Sequence, residues 1–338
     1  MTFTGRWERG ILRIVVIGLG SMGKRRIRLL KQIDETIEIT GVDTRDDRRH
    51  EAENLYGIAV CGDLQTAFDR GCDCAVISTS PLSHAVLIDK CLRQGLHVFT
   101  ELNLVTDQYD ENISLAAEQG RVLFLSSTFL YRDEINYIRQ KVAESRSDLT
   151  YSYHVGQYLP DWHPWENYTE YFVGDSRTNG CREIMAIDFP WLYKTFGQFR
   201  SVSVKKGKKT SLKTTYNDSY VLLVEHTSGV QGSIIADVVT RKATRAFEVF
   251  GEDLYISWDG TPFGLKRYDI ETKQLSAVNL YEAADALHQP GYAEYVVENA
   301  YKKELEIFLG EIEGREKSEY GFEDDAYILS VIDKIERD

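Results

Sequence analysis

The sequence predicts an α/β protein: an N-terminal doubly wound parallel sheet of the Rossmann type, then an α/β domain with an open, mostly antiparallel sheet. Three observations carry this expectation. Residues 14–17 (IVVI) are a branched apolar run, suited to a strand buried on both faces, and they lead straight into Gly18-x-Gly20-x-x-Gly23. A strand-then-helix rhythm continues from there to residue 126. Beyond it the chain changes to successive alternating strands separated by glycine-containing turns.

Each element of the first domain has a local reason. Gly18 permits a tight turn, Gly20 lets the backbone approach a pyrophosphate, and Gly23 lets the next helix pack closely on the strand. Leu19, Ser21 and Met22 complete that turn, and the free N–H groups opening the helix are placed to face phosphates. A strand over 37–42 ends in Asp43, where an acid accepts ribose hydroxyls, with Thr44 and Arg45 behind it. A polar helix (45–56), a short strand (58–60) and a helix (64–70) follow. The apolar strand 74–78 ends in Ser78 and opens the loop Thr79, Ser80, Pro81, from which His84 starts a helix over 85–94 that Gly95 stops. Strand 96–100 runs into Glu101, Leu102 and Asn103, and helix 107–119 with strand 122–126 closes the unit. Ligands of such a sheet bind at the carboxyl ends of its strands. The cofactor contacts expected there are Gly18, Leu19, Gly20, Ser21, Met22, Gly23, Asp43, Thr44, Arg45, Ser78, Thr79, Pro81, His84, Glu101 and Leu102.

Length and charge narrow the remaining classes. With 338 residues the chain suits two domains, each with its own core: 1–126 for the dinucleotide and 127–338 for substrate and oligomerisation. A net charge of −13 and a single basic cluster (205–209, KKGKK) argue against nucleic acid or an anionic membrane as partner. No stretch reaches the ~20 apolar residues of a membrane span, and the first ten residues have no signal-peptide core. The five cysteines include no C-x-x-C pair, which argues for reduced thiols in a cytoplasmic setting and against a disulfide frame or metal site.

In the second domain a helix over 133–144 precedes a one-sided strand at 149–157 and an aromatic loop at 158–171. That loop contains Asp161-Trp162-His163-Pro164-Trp165-Glu166, an imidazole and two carboxylates among indole rings that stack on sugar faces and cations. A helix over 182–196 follows, then strands at 202–206, 220–226, 232–239, 247–251 and 254–258, with closing helices at 292–309 and 324–335.

These features together resemble the glucose-fructose oxidoreductase, inositol dehydrogenase and MocA (Gfo/Idh/MocA) family. The resemblance rests on Gly18-x-Gly20-x-x-Gly23, Asp43, the segment Ser78 to His84, Glu101, Phe129-x-Tyr131-Arg132, and the C-terminal segment with Asp325-Ala326. It implies NAD(P)-linked oxidation or reduction of a sugar, inositol or sugar derivative. It also implies a homodimer or homotetramer built through the open sheet.

The departures bear on mechanism. The family carries lysine and proline after Glu101, where this chain has Leu102 and Asn103. Its aspartate and histidine, one helical turn apart, align with Glu183 and Ile187. Removing a hydroxyl proton needs an ionisable group, which leucine and isoleucine lack. The candidates for a relocated acid/base are therefore Glu183, His163, Tyr131 and Lys194. Glu183 and Lys194 share a helix face, with Pro190 between them to bend it. Each has a plainer use: Glu183 as a first-turn carboxylate, His163 as a loop residue, Tyr131 as a domain joint and Lys194 as a solvated cation.

Asp43 favours NAD over NADP, although Arg45, Arg48 and Arg49 offer a 2′-phosphate some compensation. Arg132, Arg177, Arg182 and Lys194 suggest an anionic or nucleotide-linked sugar, of the kind used in surface-polysaccharide metabolism. Two other classes stay open: a non-catalytic dinucleotide-binding sensor, and a redox-neutral enzyme with tightly held NAD.

Overall fold

The computed structural model describes residues 10–164, 166–281 and 297–337. Two compact units emerge, one of residues up to 127 with 301–326, the other of residues 128–300 with those from 327 onward. Residues 301–326, which the sequence reading grouped with the second domain, cluster with the first unit.

The first unit alternates strands and helices: β1 (Arg13–Ile17), α1 (Ser21–Ile33), β2 (Glu38–Val42), α2 (Asp46–Tyr56), β3 (Ala59–Cys61), α3 (Leu64–Asp69), β4 (Cys74–Ile77), α4 (Pro81–Arg93), β5 (His97–Thr100), α5 (Tyr109–Glu118) and β6 (Leu123–Leu125). The six strands lie in the order β3-β2-β1-β4-β5-β6, all parallel, so the order reverses between β1 and β4. Helical crossovers cover both faces, which is why Ile14, Val15, Val16 and Ile17 are all buried. One boundary differs from expectation: α4 begins a turn before residue 85, with Ser80 at its N-cap and Pro81 in its first turn. A proline there lacks only an N–H that the helix leaves unpaired, and its ring presets the helical φ.

A buried charge cluster ties α1 to the sheet. Arg26 has no exposed side-chain surface, and its guanidinium donates to Glu101 at 2.7 and 2.9 Å, to Glu304 at 2.9 Å and to the Tyr301 carbonyl at 3.0 Å. Glu304 also accepts from Ser126 Oγ and the Ser127 N–H. Burial opposes the Arg26 charge, yet Glu101 and Glu304 outweigh it and raise its pKa. Burial likewise pushes the Glu304 carboxyl up, against the pull of Arg26.

The second unit contains α6 (Asp133–Glu144), β7 (Thr150–Gly156), α7 (Gly180–Phe196), β8 (Phe199–Gly207), β9 (Ser219–His226), β10 (Gln231–Asp237), β11 (Thr244–Phe250), β12 (Tyr255–Trp258), β13 (Lys266–Asp269) and β14 (Gln274–Ala277). Two helices close the chain; the start expected for the first, at 292, lies outside the described residues, and they are α8 (Glu298–Ile312), of which residues 301–312 belong to the first unit, and α9 (Phe322–Arg337), of which residues 327–337 belong to the second unit. Its sheet runs β14-β13-β12-β11-β7-β10-β9-β8 and is antiparallel except where β10 pairs with β7. The sequence reading missed β13 and β14, whose KRYD and QLSA segments are largely exposed and lack an apolar alternation. Aromatic rings fill the layer between α7 and the sheet: Tyr151 stacks on Phe196 at 4.8 Å, and Trp191 meets Phe247 edge-on at 5.0 Å. Gly232 makes room for this layer, since a Cβ there would lie 2.1 Å from the Tyr151 ring.

Removing Arg26 would leave Glu101 and Glu304 facing each other without a counter-charge. Arg26→Met should therefore cost about 3–5 kcal/mol at neutral pH. The loss should shrink in acid, because protonating the carboxyls relieves the repulsion, and urea midpoints between pH 5 and 8 measure both effects. Equal midpoints for the variant and wild type would show that the cluster is not needed for stability.

Candidate active site

The carboxyl end of the first unit's sheet has the shape a dinucleotide requires. Gly18 has φ +91°, and a Cβ on it would lie 2.6 Å from the Ser78 carbonyl oxygen. A Cβ on Gly23 would lie 1.8 Å from the Gly18 carbonyl oxygen. The turn is thus closed by backbone against backbone. Helix α1 starts at Ser21 with Gly20 as N-cap and no side chain capping its N–H groups, the arrangement that suits a phosphate. Ser21 is exposed and Met22 half-buried in that first turn, while Leu19 is buried under the loop.

Asp43 sits buried at the end of β2. Its Oδ2 accepts the Leu19 N–H at 2.8 Å and its Oδ1 the Arg45 N–H at 2.9 Å, with Arg48 Nη1 3.7 Å from Oδ2. Thr44 and Arg45 are exposed; Arg45 pairs with Asp47, and Arg49 with Asp46. These residues therefore fit a dinucleotide with a free 2′-hydroxyl.

On the other side of the switch between β1 and β4, Ser78 Oγ lies 3.3 Å from Glu101, whose carboxylate is also clamped by Arg26. Thr79 Oγ bonds to Ser83 Oγ at 2.7 Å, and Pro81 is buried at the start of α4. His84 is 1% exposed, with Nε2 3.0 Å from the Thr79 carbonyl and Nδ1 2.7 Å from the Asn103 side-chain amide. A carbonyl only accepts, so Nε2 carries the proton. Burial lowers the His84 pKa and favours the neutral ring; the Asn103 atom facing Nδ1 is its side-chain oxygen, which only accepts, so with the proton on Nε2 the donor to Nδ1 is the Thr100 hydroxyl, 3.3 Å away. Leu102 stands half-buried beside this group with no ionisable atom to offer.

In the second unit the four acid/base candidates have different surroundings. A cavity of about 160 Å³ is lined by residues of β7 and the turn after it, by Trp162, by Thr244 and Arg245, and by Glu183, Ile184 and Ile187 of α7. Glu183 and Ile187, one turn apart, thus share the wall. The aromatic loop folds against the start of α7 because residue 180 is glycine: a Cβ there would lie 3.0 Å from Leu159 and 3.4 Å from Trp162. Trp162 is held by an indole N–H donated to the Gln157 carbonyl at 3.0 Å, whereas Trp165 lies outside the described residues.

Glu183 Oε2 is buried without a hydrogen-bond partner among the described residues, and burial pushes the carboxyl up to about 8. His163 meets Tyr171 edge-on at 5.2 Å, and burial lowers its pKa. Tyr131 ends the 3-10 turn Thr128–Tyr131, which packs on α7. Lys194 is eleven residues beyond Glu183, about 16 Å along a helix rising 1.5 Å per residue, and its ammonium lies 5.0 Å over the Tyr193 ring. The helix continues through Pro190, but Pro190 and Trp191 enter the core, so the shared face does not stay at the cavity.

The arginines expected to attract an anion are engaged elsewhere. Arg132 is buried against Glu134 at 2.6 Å, and Arg182 against Glu336 and Asp333 at 2.5 and 2.7 Å. Arg245, which the sequence reading did not single out, reaches the cavity wall, yet it too is paired, with Asp188 at 2.7 Å. Asp188 also accepts from Tyr153 OH at 2.5 Å. Arg132 and Glu134 are two residues apart, whereas Arg182 and Arg245 meet their partners only across the fold, so the local sequence does not distinguish those from solvated charges.

A carboxyl with a raised folded pKa weakens the fold as pH rises from the ordinary carboxyl range to about 8, and the cost then levels off. Glu183→Gln should therefore match wild type near pH 5 and exceed it by on the order of a few kcal/mol at pH 9. Denaturant midpoints at the two pH values check this; a variant less stable at pH 9 would mean that the carboxylate has a buried partner.

Residues 12–127 match the model of a family described as an oxidoreductase family with an NAD-binding Rossmann fold. The myo-inositol 2-dehydrogenase of Thermotoga maritima is 28% identical over 134 residues, 39% of this chain and 40% of the relative. Alignments with the curated relatives span about two-fifths of their lengths. Among solved structures, a UDP-N-acetylglucosamine 3-dehydrogenase from Acidithiobacillus ferrooxidans shares the fold with a TM-score of 0.73 at 17% identity, covering 96% of this chain and 97% of the other. The WlbA dehydrogenase from Bordetella pertussis, solved with NADH and UDP-GlcNAcA, gives a TM-score of 0.73 at 15% identity, with 97% of each chain covered. With the glycine turn, the buried Asp43 and the β3-β2-β1-β4-β5-β6 sheet, residues 12–127 are similar to the NAD-binding Rossmann domain of the Gfo/Idh/MocA oxidoreductases.

Proposed function

We propose that this protein is an NAD-linked oxidoreductase acting on a CH–OH group of a sugar derivative, with Glu183 as its acid/base group. The observation that carries the reading is the Glu183 carboxyl: it lines a cavity, its Oε2 is buried without a partner among the described residues, and its pKa lies near 8. A group poised near the working pH can accept a hydroxyl proton in one direction and return it in the other. Of the four candidates, Glu183 lines that cavity; His163 and Tyr131 stand as supporting groups, and Lys194 is farthest along α7. Bound NAD supplies the hydride acceptor, or in its reduced form the donor. The glycine turn, the first N–H groups of α1 and Asp43 hold the dinucleotide, while Ser78, Thr79, Pro81, His84, Glu101 and Leu102 shape the opposite side of its site. NADP is the alternative cofactor, with the Arg48 guanidinium 3.7 Å from the Asp43 carboxylate and Arg49 donating to the Asp43 carbonyl at 2.7 Å. The shared fold with the UDP-N-acetylglucosamine 3-dehydrogenase and with WlbA, solved with UDP-GlcNAcA, supports a nucleotide-linked sugar as substrate.

The test is turnover of a panel of UDP-sugars with NAD, followed by NADH absorbance. Oxidation should rise as pH passes about 8, and Glu183→Gln should lower kcat about 10²–10⁴-fold without changing NADH affinity. Wild-type turnover by that variant would remove Glu183 from the chemistry. A protein that turns over none of the panel but releases nucleotide on denaturation would favour the redox-neutral reading.

We also infer self-association through the open face of the second unit's sheet. Val221, Leu223 and Ile235 are 43%, 63% and 36% exposed on neighbouring strands, with Val221 directly opposite Ile235. Such a row of exposed apolar side chains suits a subunit interface. Leu223→Glu should shift sedimentation from dimer or tetramer to monomer, and a wild type that already sediments as a monomer would exclude the interface.

A further inference from the structure

Three strands of the second unit, β7, β10 and β11, meet at one edge of its cavity. Residues 157–159 continue β7 along the end of β10, where the Gln157 N–H donates to the Asp237 carbonyl at 3.3 Å and the Leu159 N–H to the Val238 carbonyl at 3.1 Å. Thr244, paired with Gly156 across the strands, opens β11. Gln157 and Thr244 both line the cavity. The turn between β10 and β11, residues 238–243, therefore starts beside Gln157 and ends at Thr244, on the cavity's rim. Asp237 sets its course by accepting the Val239 and Thr240 N–H groups at 2.8 and 2.7 Å, and the Thr244 hydroxyl donates to the Lys242 carbonyl at 2.8 Å.

Two cations stand on this turn, Arg241 and Lys242, and both are exposed. Neither side chain has a carboxylate within ion-pair distance or a hydrogen bond among the described residues. Arg241 is nonetheless fixed, because its Cζ lies 3.6 Å from the centre of the Tyr158 ring, next in the chain to Gln157. Contact over a ring uses the face of a guanidinium and leaves its in-plane N–H donors unspent. Arg245 on the cavity wall, by contrast, spends its charge on Asp188. A cavity of about 160 Å³ equals roughly five waters' share of liquid volume, room for one sugar ring and not for a nucleotide as well. A group joined to such a ring must cross the rim, where Arg241 and Lys242 stand.

We propose that Arg241 and Lys242 hold the diphosphate of a nucleotide-linked sugar whose ring enters the cavity, with Tyr158 as the residue that positions Arg241. A guanidinium oriented before binding offers parallel N–H donors to phosphate oxygens, and the neighbouring ammonium adds a second positive charge. The chain carries a net charge of −13, so a local pair of cations is what favours the approach of a diphosphate. The inference rests on the reading of the cavity as the substrate site. It names the residues that select a diphosphate-linked sugar over a free one.

The test needs no turnover. Uridine diphosphate (UDP) and uridine are titrated calorimetrically into protein saturated with NADH, which keeps the dinucleotide site filled. Wild-type protein should bind UDP about tenfold or more tightly than uridine, with an affinity that falls as salt is raised. Arg241→Ala and Lys242→Ala should each weaken UDP binding by about tenfold at unchanged melting temperature, and Arg241→Lys should not restore it. Lys266→Ala, which removes an exposed cation on β13, should bind UDP as wild type does. Tyr158→Phe keeps the ring and should bind normally, whereas Tyr158→Leu should bind as weakly as Arg241→Ala. No UDP binding by wild type, uridine bound as tightly as UDP, unchanged binding in Arg241→Ala, or an equal loss in Lys266→Ala would each overturn the assignment. Turnover of a UDP-sugar with unchanged KM in Arg241→Ala and Lys242→Ala would keep the substrate reading and remove this inference alone. UDP binding that depends on Arg241, in a protein that oxidises none of the sugars, would keep the assignment and remove the proposed reaction.

Discussion

A carboxylate taken out of water costs several kcal/mol unless cations and hydrogen-bond donors surround it, and both units are arranged around that constraint. In the first, Glu101 and Glu304 share Arg26 beneath the carboxyl end of the sheet. In the second, Asp188 collects Arg245, Tyr153 and the Trp191 indole N–H where α7 packs on its sheet. These satisfied clusters fix helices against strands. Glu183 lies on the same helix as Asp188, yet its Oε2 has no such partner among the described residues. The two acids, five residues apart on one helix, thus differ in that Asp188 is fully engaged by its neighbours and Glu183 Oε2 is not.

Close backbone approach is the second constraint, and it explains why the glycines cannot move. Gly18 and Gly23 press carbonyl against Cα, so the turn leaves its N–H groups free at the start of α1. Gly180 plays a comparable part in the second unit, letting Leu159 and Trp162 reach the helix so that the aromatic loop closes one wall of the cavity. In both places a missing side chain positions other side chains.

Leu102 and Ile187 carry no ionisable atom. Lysine or histidine would bring a cation or a second titrating group. Ile187 puts an apolar side chain on the cavity wall one turn from Glu183, whose burial raises its pKa to about 8. His84, by contrast, donates from Nε2 to the Thr79 carbonyl and has the Thr100 hydroxyl 3.3 Å from Nδ1, which pins the loop after β4 to the end of β5.

The sequence by itself determined the parallel sheet, the glycine turn, Asp43 and the change to an antiparallel sheet. All of these are written in short-range patterns: apolar runs, glycine spacing and period-two alternation. It also pointed to Glu183, by its place on a helix. Only the tertiary structure decided which charges were already spent. Arg132 and Arg182 read as anion-binding residues until Glu134, Asp333 and Glu336 were seen to hold them. Arg26 and Arg245 carried no signal at all, because pairing between residues tens to hundreds of positions apart leaves no local trace. Whether a buried oxygen has a partner is a property of three-dimensional packing, and in this protein that property distinguishes Glu183 from Asp188 on the same helix.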